Sequence, residues 1–561
     1  MHRHSPQAFV GALFLSLTTV IGGVYADFGT EIGTIGGGRE GVVWLLLAGV
    51  LAIPFYLLLS WVLERQYRSG RSQPASGVLG LFDQHAVIAS FVVLLLAFAP
   101  YLWVHYPASV TKDSYHQLNM ALGLKPYQSR HPLLTTLIYK CLFLLGSHVD
   151  KNFGIFCCVL APTVLAAYAF ARCIGKVGSY VRDPRASLIA LLFFGGLPVW
   201  GFYMQSMTKD TLFFPVFLLF AMTYVDVVDT LTTRKADRVV PSIVWVRLLF
   251  WGLLATLLRH GVVLILGFSL LLLALVAFRQ RRLVCVTLVV ILALHVGCTK
   301  AMELVLKPIS FPTRAMFSVP FQQTARCMLE VPELVTDEEY EAIDAVLKAS
   351  KIADRYNPLL ADPVKDTFRT ETVTSSDISR YLLTWFRMML KYPRIYFDAF
   401  FQHAYGYLDP FHLVKATSQL KVYMSQGDFW LVPLDLHYAH PKTIRSWFDQ
   451  WGTVWLRTPV CMHIMTPGFY AWVTFVCLLL LWSRRRCRQL IVLSLPALQV
   501  LMCIVSPVAG NIRYALPTMA VAPLIIAWTL REVRSSDEGS GRSSEAVAGA
   551  ARHGEGLHLR R

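Results

Sequence analysis

Two carboxylates lie in polar connections that hold few other acidic groups. Asp113 is the one carboxylate between Tyr106 and Lys140, and Asp210 follows Lys209 in the segment QSMTKD, just before an apolar run. A carboxylate beside a membrane surface can act as a general base toward a hydroxyl group. Each aspartate can also be an ordinary helix N-cap, because a helical pattern follows it.

Cations occur in the same kind of position. Lys209 and Arg259 lie at the ends of apolar runs, as does Arg513 in the segment NIRYALP. Each alone can be an interfacial anchor. Ionisable groups at the ends of membrane-spanning runs are costly to bury and are usually paired or functional. Together with the two aspartates, these cations would suit a site where an anionic phosphate is held while a carboxylate acts on a nearby hydroxyl.

The composition indicates a membrane protein. Of the 561 residues, 55% are hydrophobic and 16% are charged, whereas soluble proteins have about 25% charged residues. The mean hydropathy is +0.50. These values exclude a soluble enzyme and a disordered protein. The net charge of +17 does not predict a nucleic-acid partner, because most basic residues punctuate apolar runs. The 11 cysteines form no disulfide framework.

The apolar runs predict an all-α polytopic membrane protein. A crossing helix needs about 17 to 25 mostly apolar residues. About twelve runs approach this length: 8–25, 41–63, 86–104, 153–172, 187–204, 211–228, 244–258, 261–278, 284–302, 461–482, 489–507 and 514–530. The run at 244–278 can be two short spans or one long tilted helix. The apolar stretch 131–147 is predicted to be a juxtamembrane helix that does not cross.

The distribution of Lys and Arg predicts the orientation. One alternating set of short connections holds most of them, as cytoplasmic loops do. We therefore predict a multi-pass protein of the cell membrane with both termini in the cytoplasm. This topology puts two long insertions, 105–152 and 303–460, on the outer face.

The same topology divides the chain into regions. We expect two N-terminal transmembrane helices in 1–85, a membrane core in 86–302 that includes the outer loop 105–152, and C-terminal transmembrane helices in 461–530. The insertion 303–460 is predicted to be a mostly helical extracytoplasmic domain, in which Thr336 is an N-cap. The tail 531–561 lacks apolar residues and is expected to be disordered in the cytoplasm.

The order of these residues resembles the GT-C superfamily of integral membrane glycosyltransferases. In that superfamily a spanning helix leads to an outer loop with an acidic residue, then a His-Pro motif opens a juxtamembrane helix, and a later short turn carries a second acidic residue. Asp113, His131 with Pro132, and Asp210 match this order within residues 86–300. The chain looks most similar to an uncharacterised bacterial family of multispanning proteins within the superfamily.

The resemblance implies a reaction. It predicts an inverting transfer of a hexosyl or pentosyl group from a polyprenyl-phosphate donor to a glycan, lipid or protein acceptor of the cell envelope. Asp113 is then the candidate base, and Asp210 assists it or orients the donor. The candidate donor-phosphate ligands are Lys209, Arg259, Arg513 and His131. His131 can equally be structural.

Further candidates are weaker. Candidate substrate-binding residues are Gln117, Gln322, Gln323 and Arg326. No motif demands a cofactor or metal, although two carboxylates can share a divalent ion. The alternative function is a polytopic transporter or a flippase of lipid-linked glycans. A non-catalytic envelope scaffold is a third interpretation, and it predicts that the charged turns lie apart.

Overall fold

The chain is mostly helical in the computed structural model, which describes residues 5–29, 31–34, 39–67, 78–232, 239–309, 316–414, 424 and 437–558. The first half forms α1 (Pro6–Phe28), α2 (Arg39–Glu64), α3 (Val78–Val104), α4 (Lys112–Ala121), α5 (Leu133–Ser147), α6 (Lys151–Val181), α7 (Pro184–Gly196), α8 (Pro198–Met204), α9 (Lys209–Thr232), α10 (Ser242–Leu258), α11 (Val262–Val276) and α12 (Arg281–Leu306). The second half forms α13 (Ser318–Glu330), α14 (Asp337–Asp344), α15 (Ala349–Ile352), α16 (Asp362–Lys365), α17 (Ser375–Lys391), α18 (Pro393–Leu408), α19 (Lys442–Arg457), α20 (Pro459–Ile464), α21 (Pro467–Ser483), α22 (Ser494–Ile504) and α23 (Ile512–His558). Short 3-10 helices cover Pro332–Leu334 and Gln489–Leu493.

Seven helices of the described chain are long and apolar enough to cross a membrane, namely α1, α2, α3, α6, α9, α12 and α23. An eighth predicted span, 187–204, is the pair α7 and α8, which is bent by 51°. The other four predicted spans are shorter apolar helices of 10–17 residues. Because 17 residues rise only about 26 Å against a hydrocarbon layer of about 30 Å, their crossing stays a prediction.

The connection at residues 259–261 separates two helices. α10 ends at Leu258, Arg259 is extended, and Gly261, with a φ of 81°, immediately precedes α11. This left-handed conformation suits glycine, which has no Cβ to clash. The run at 244–278 is therefore two short helices, and the turn between them presents Arg259 at their shared end.

One short parallel strand pair joins the connections before α4 and α9. β1 (Ser109–Val110) pairs with β2 (Ser206–Met207), with Ser109 opposite Ser206. The Ser114 hydroxyl donates to the carbonyl of Met207, which ties the start of α4 to the second strand. The two helices therefore begin side by side.

The inserted segment 316–414 has a hydrophobic core of its own. Phe321, Ile343, Phe368 and Tyr381 are among its buried residues. The Thr336 hydroxyl accepts a hydrogen bond from Glu339 N at 3.3 Å in a capping box, as predicted. Residues 310–315, and 415–436 apart from Met424, also belong to the predicted region 303–460 but lie outside the described residues.

The tail does not begin where disorder was predicted. α23 continues through residue 531, with Val533 fully buried. Arg531 pairs with Asp229 near the end of α9, and Arg484 Nε lies 2.8 Å from Asp537 Oδ1. The prediction of disorder for 531–561 is therefore wrong for its first part, because these ion pairs fix the helix. They lie at the end of α9 opposite to the strand pair.

Candidate functional site

A repeated pentapeptide builds the centre of the candidate site. Residues 109–113 read SVTKD and residues 206–210 read SMTKD. In each copy the first two residues form a strand of the parallel pair, and the lysine and aspartate are the first two residues of the following helix. Sequence reasoning identified both aspartates but missed the repeat, which is the signal that would have predicted their proximity.

Both aspartates reach one arginine. Arg513 Nη2 lies 3.4 Å from Asp113 Oδ2, and Arg513 Nε donates to Asp210 Oδ2. Arg259 Nη1 lies 3.1 Å from the other oxygen of Asp210, Oδ1. Four separate connections of the chain therefore meet in one ion-pair network, which we call the aspartate–arginine cluster (Asp113, Asp210, Arg259 and Arg513).

The two carboxylates differ in access. The side chain of Asp210 is 1% exposed, whereas that of Asp113 is 31% exposed. Asp210 is held by two guanidinium groups, while Asp113 has one longer contact with Arg513. Neither aspartate is the N-cap that the alternative predicted, because each is the second residue of its helix. Asp113 is thus the carboxylate that can meet a ligand.

The turn that carries Arg513 rests on the inserted segment. Ala361 N donates to Pro507 O at 2.8 Å, Ala509 N donates to Leu359 O at 2.9 Å, and the Tyr407 hydroxyl donates to Val508 O at 2.7 Å. These three hydrogen bonds satisfy backbone groups of the turn and hold it against the inserted segment. Residues 316–414 therefore help to place the guanidinium of Arg513.

Lys209 adds a cation without a direct carboxylate partner. Its ammonium group interacts electrostatically with Asp113, Asp210 and Arg513, but it forms no salt bridge or hydrogen bond within the described part of the chain. Taken together, the cluster and Lys209 contain three cations and two carboxylates, so their net charge is +1. This balance favours an anionic ligand.

Asp113 stays ionised in this setting. Burial alone would raise the pKa of its carboxyl group, but the positive charges of Lys209 and Arg513 outweigh burial and hold that pKa well below its usual range. Asp113 therefore carries a full negative charge at neutral pH. A ligand that neutralised Lys209 or Arg513 would raise this pKa and make the carboxylate a stronger base.

His131 lies beside these charges and precedes the start of α5. It is 3% exposed, and neither ring nitrogen has a hydrogen-bond partner among the described residues. Burial, followed by the charge of Lys209, lowers the pKa of His131 to about 3. The imidazole is therefore neutral at physiological pH. A buried ring with unpaired nitrogens can bind a ligand hydroxyl or phosphate.

Acid should destabilise the fold through His131. Its pKa is about 3 in the folded chain and about 6.5 when unfolded, so protons bind preferentially to the unfolded state. The stabilisation is complete above pH 6.5 and is lost as the pH falls toward 3. We expect about 2 kcal/mol of loss between pH 7 and pH 5 from this group.

Thermal unfolding of purified protein across this pH range tests the expectation. His131→Gln should reduce the acid-induced loss of stability, whereas the exposed His148, changed to Gln, should leave the loss as in the wild type. Equal pH profiles for all three proteins would contradict the buried neutral state of His131.

Gln117 bridges two helices near the cluster. It lies on α4, one turn after Asp113, and its Nε2 donates to Thr136 Oγ1 on α5 at 3.3 Å. Its Oε1 is buried and has no hydrogen-bond partner in the described chain. One amide oxygen can therefore accept a hydrogen bond from a ligand.

The other predicted substrate-binding residues lie within the inserted segment. Gln322 donates to Asn357 O at 2.6 Å, and Gln323 donates to Tyr396 O at 3.0 Å. Arg326 is fully buried and binds Glu330. Arg326 also donates to Gly33 O, outside this segment, and Gln322 Oε1 has no hydrogen-bond partner among the described residues. No contact of these three residues with the aspartate–arginine cluster is found in the described residues. These contacts are structural, and substrate binding by the three residues stays a prediction.

The cluster suits an anion better than a metal ion. No group of three or more His, Cys, Asp or Glu side chains in the described regions could hold a metal. A divalent ion between Asp113 and Asp210 would also meet the positive charge of Arg513, which already contacts both. The residues present therefore do not fit a divalent ion in this arrangement.

Comparison with known proteins identifies the family. Neither the curated proteins nor the solved structures give a match to the chain. The profile of a family of unknown function, DUF6020, matches residues 127–543. This range holds His131, Asp210, Arg259 and Arg513, while Asp113 precedes it. Because the match covers more than half of the sequence, the chain belongs to the family of unknown function DUF6020.

Proposed function

We propose that the chain is a membrane glycosyltransferase that moves a sugar from a polyprenyl-phosphate donor to an acceptor of the cell envelope, on the extracytoplasmic side. The observation that carries the proposal is the convergence of Asp113 and Asp210 on Arg513. A partly exposed carboxylate within a net positive cluster offers both a base for a hydroxyl and a binding site for a phosphate.

In the proposed reaction, an acceptor oxygen attacks the anomeric carbon of the donor sugar. The bond from that carbon to the phosphate oxygen breaks with inversion, and its electron pair leaves with the polyprenyl phosphate. Asp113 takes the acceptor proton. Lys209 and Arg513 bind the leaving phosphate, since preorganised cations stabilise charge that develops in the transition state.

Asp210 has a supporting part in this mechanism. Its carboxylate is buried between Arg259 and Arg513, so it orients the guanidinium of Arg513 rather than touching the acceptor. Binding of the donor phosphate to Lys209 and Arg513 offsets the charges that depress the pKa of Asp113. The base is therefore strengthened only when the donor is in place.

The alternative is a transporter or a flippase of lipid-linked glycans, and the bent pair α7 and α8 favours it. Broken helices often line transport sites near the bilayer midplane. Here, however, the aspartate–arginine cluster is built at helix ends, with both aspartates in the first turn of their helices. The scaffold interpretation predicts separated charged turns, and the contacts with Arg513 do not fit it.

Reconstitution tests the proposed function directly. The purified protein in lipid vesicles is given a series of polyprenyl-phosphate sugars together with envelope acceptors, and release of polyprenyl phosphate and labelling of the acceptor are measured. Sugar transfer with loss of the donor supports the proposal. Transbilayer movement of an intact labelled lipid without bond cleavage would instead support the flippase.

Lys209 provides a test of the donor site, with a matched control in the same repeat. Lys209→Gln should weaken binding of the polyprenyl phosphate by about tenfold to a hundredfold, because it removes one charged hydrogen bond to the phosphate. Lys112 has the same position in the other pentapeptide but is exposed, so Lys112→Gln should leave the affinity unchanged. Equal losses in both variants would contradict the assigned role of Lys209.

A further inference from the structure

A second charged cavity opens far from the aspartate–arginine cluster. It lies between α6, α9 and α10 and has a volume of about 350 Å³. Three cations and one carboxylate line it, together with aromatic side chains: Arg172, Lys176, Arg247, Asp226, Tyr168 and Phe250. None of these residues takes part in the proposed transfer reaction.

The cavity lies toward the opposite end of the helices. Asp226 is about 24 Å along α9 from Asp210, at 1.5 Å per residue. Lys176 is in the last turns of α6, which ends at Val181, and Arg247 is in the second turn of α10, which begins at Ser242. With α6 and α9 spanning a bilayer, this end of the helices would lie where lipid headgroups meet hydrocarbon.

The charges of the cavity are only partly neutralised by the protein. Lys176 pairs with Asp226. Arg172 and Arg247 are exposed, and no ion pair joins either of them to another described residue. The four groups together carry a net charge of +2. An arginine at membrane depth is costly unless a partner or water meets its charge.

The walls of the cavity suit acyl chains. Phe250 is 53% exposed and Tyr168 is 40% exposed beside the two arginines. Aromatic side chains with a polar neighbour are typical of the interface between headgroups and hydrocarbon. The cavity thus combines cations for an anionic group with an apolar surface that a free inorganic ion does not need.

We propose that this cavity binds an anionic phospholipid, with the headgroup phosphate between Arg172 and Arg247 and the acyl chains along Tyr168 and Phe250. The ion pair of Lys176 with Asp226 also lines the cavity. Basic pockets between transmembrane helices bind anionic headgroups through the same chemistry. This inference does not depend on the proposed transferase activity.

Native mass spectrometry of the detergent-purified full chain tests the site. The probes are phosphatidylglycerol, phosphatidylcholine and inorganic phosphate, each titrated separately. Wild-type protein should bind phosphatidylglycerol more tightly than phosphatidylcholine. The double variant Arg172→Gln/Arg247→Gln should bind phosphatidylglycerol about thirtyfold more weakly.

A charge-matched control separates the cavity from general surface charge. Arg185 and Arg282 are exposed and do not line the cavity. Arg185→Gln/Arg282→Gln should therefore keep wild-type affinity. Equal weakening in both double variants would overturn the proposal, as would unchanged binding in the cavity variant. Saturable binding of inorganic phosphate without a preference for the anionic lipid would overturn the assignment to a phospholipid.

Discussion

The Asp113→Asn variant should fold like the wild type and lose sugar transfer by about 10²- to 10⁴-fold, the usual contribution of a general base. The amide keeps the shape of the side chain but cannot take the proton of the acceptor. Because it also removes a negative charge near Lys209 and Arg513, binding of the donor phosphate should be retained or tightened. Single-turnover transfer and donor affinity, both measured in lipid, separate these two effects.

Asp150 supplies the control for Asp113. It is exposed and caps α6 by accepting hydrogen bonds from Asn152 N and Phe153 N. Asn is as good an N-cap as Asp, so Asp150→Asn should change neither folding nor transfer. Wild-type transfer by a folded Asp113→Asn protein would remove Asp113 from the mechanism. Loss of donor binding together with transfer would point to a role in the donor site instead.

Replacing Arg513 should have the largest effect on stability. Arg513→Gln leaves Asp210 with Arg259 alone and removes the cation that Asp113 contacts. Breaking a buried ion pair by removing one partner costs about 3–5 kcal/mol, because the remaining charge is left uncompensated. Thermal and denaturant unfolding of the purified variant would measure this loss.

A double-mutant cycle identifies the source of that loss. Asp210→Asn in the Arg513→Gln background removes the uncompensated carboxylate, so the double variant should recover part of the stability, with a coupling of about 0.5–3 kcal/mol. The comparison pair is Arg484 with Asp537, whose side chains are 15% and 13% exposed and lie at the other end of the helices. Arg484→Gln should destabilise the chain without changing donor affinity. Strict additivity of Asp210→Asn and Arg513→Gln would contradict the coupling.

The membrane helices could be predicted from local sequence. Whether each helix is long enough to span the bilayer could not. Long apolar runs specify helices wherever they occur, and all seven long helices fall on predicted spans. The shorter helices, such as α10 and α11, depend on a break at Gly261. The predicted runs 244–258 and 261–278 place this break correctly, but hydropathy alone does not decide between two short helices and one long tilted helix.

The polar residues of the inserted segment show a second limit. Gln323 and Arg326 are candidates because their segment resembles part of a multispanning family, and such a resemblance does not identify the partners of a side chain. Arg326 in fact meets Gln402 Oε1 at 3.3 Å and Gly33 O at 2.5 Å. These partners are distant in sequence, so spacing along the chain gives no sign of them.

The helix in the tail and the strand pair could not be predicted from the sequence, for opposite reasons. The composition of residues 531–561 indicates disorder, but Arg531 and Asp537 find partners on other helices. The two-residue strands are too short for an alternating pattern to reveal them. Only the repeat of SVTKD as SMTKD carries that information, because both copies, which differ at one residue, form a strand followed by the start of a helix.

The hydrogen bonds between the 505–511 turn and the inserted segment make the candidate site depend on the folding of that segment. Ser506 O lies 2.7 Å from His403 Nε2, and Asn511 N donates to the Tyr407 hydroxyl at 3.0 Å. Arg513 follows two residues later. A nascent chain whose residues 316–414 have not yet folded lacks the contacts that position the turn before Arg513. The candidate site would thus be complete only after residues 316–414 have folded.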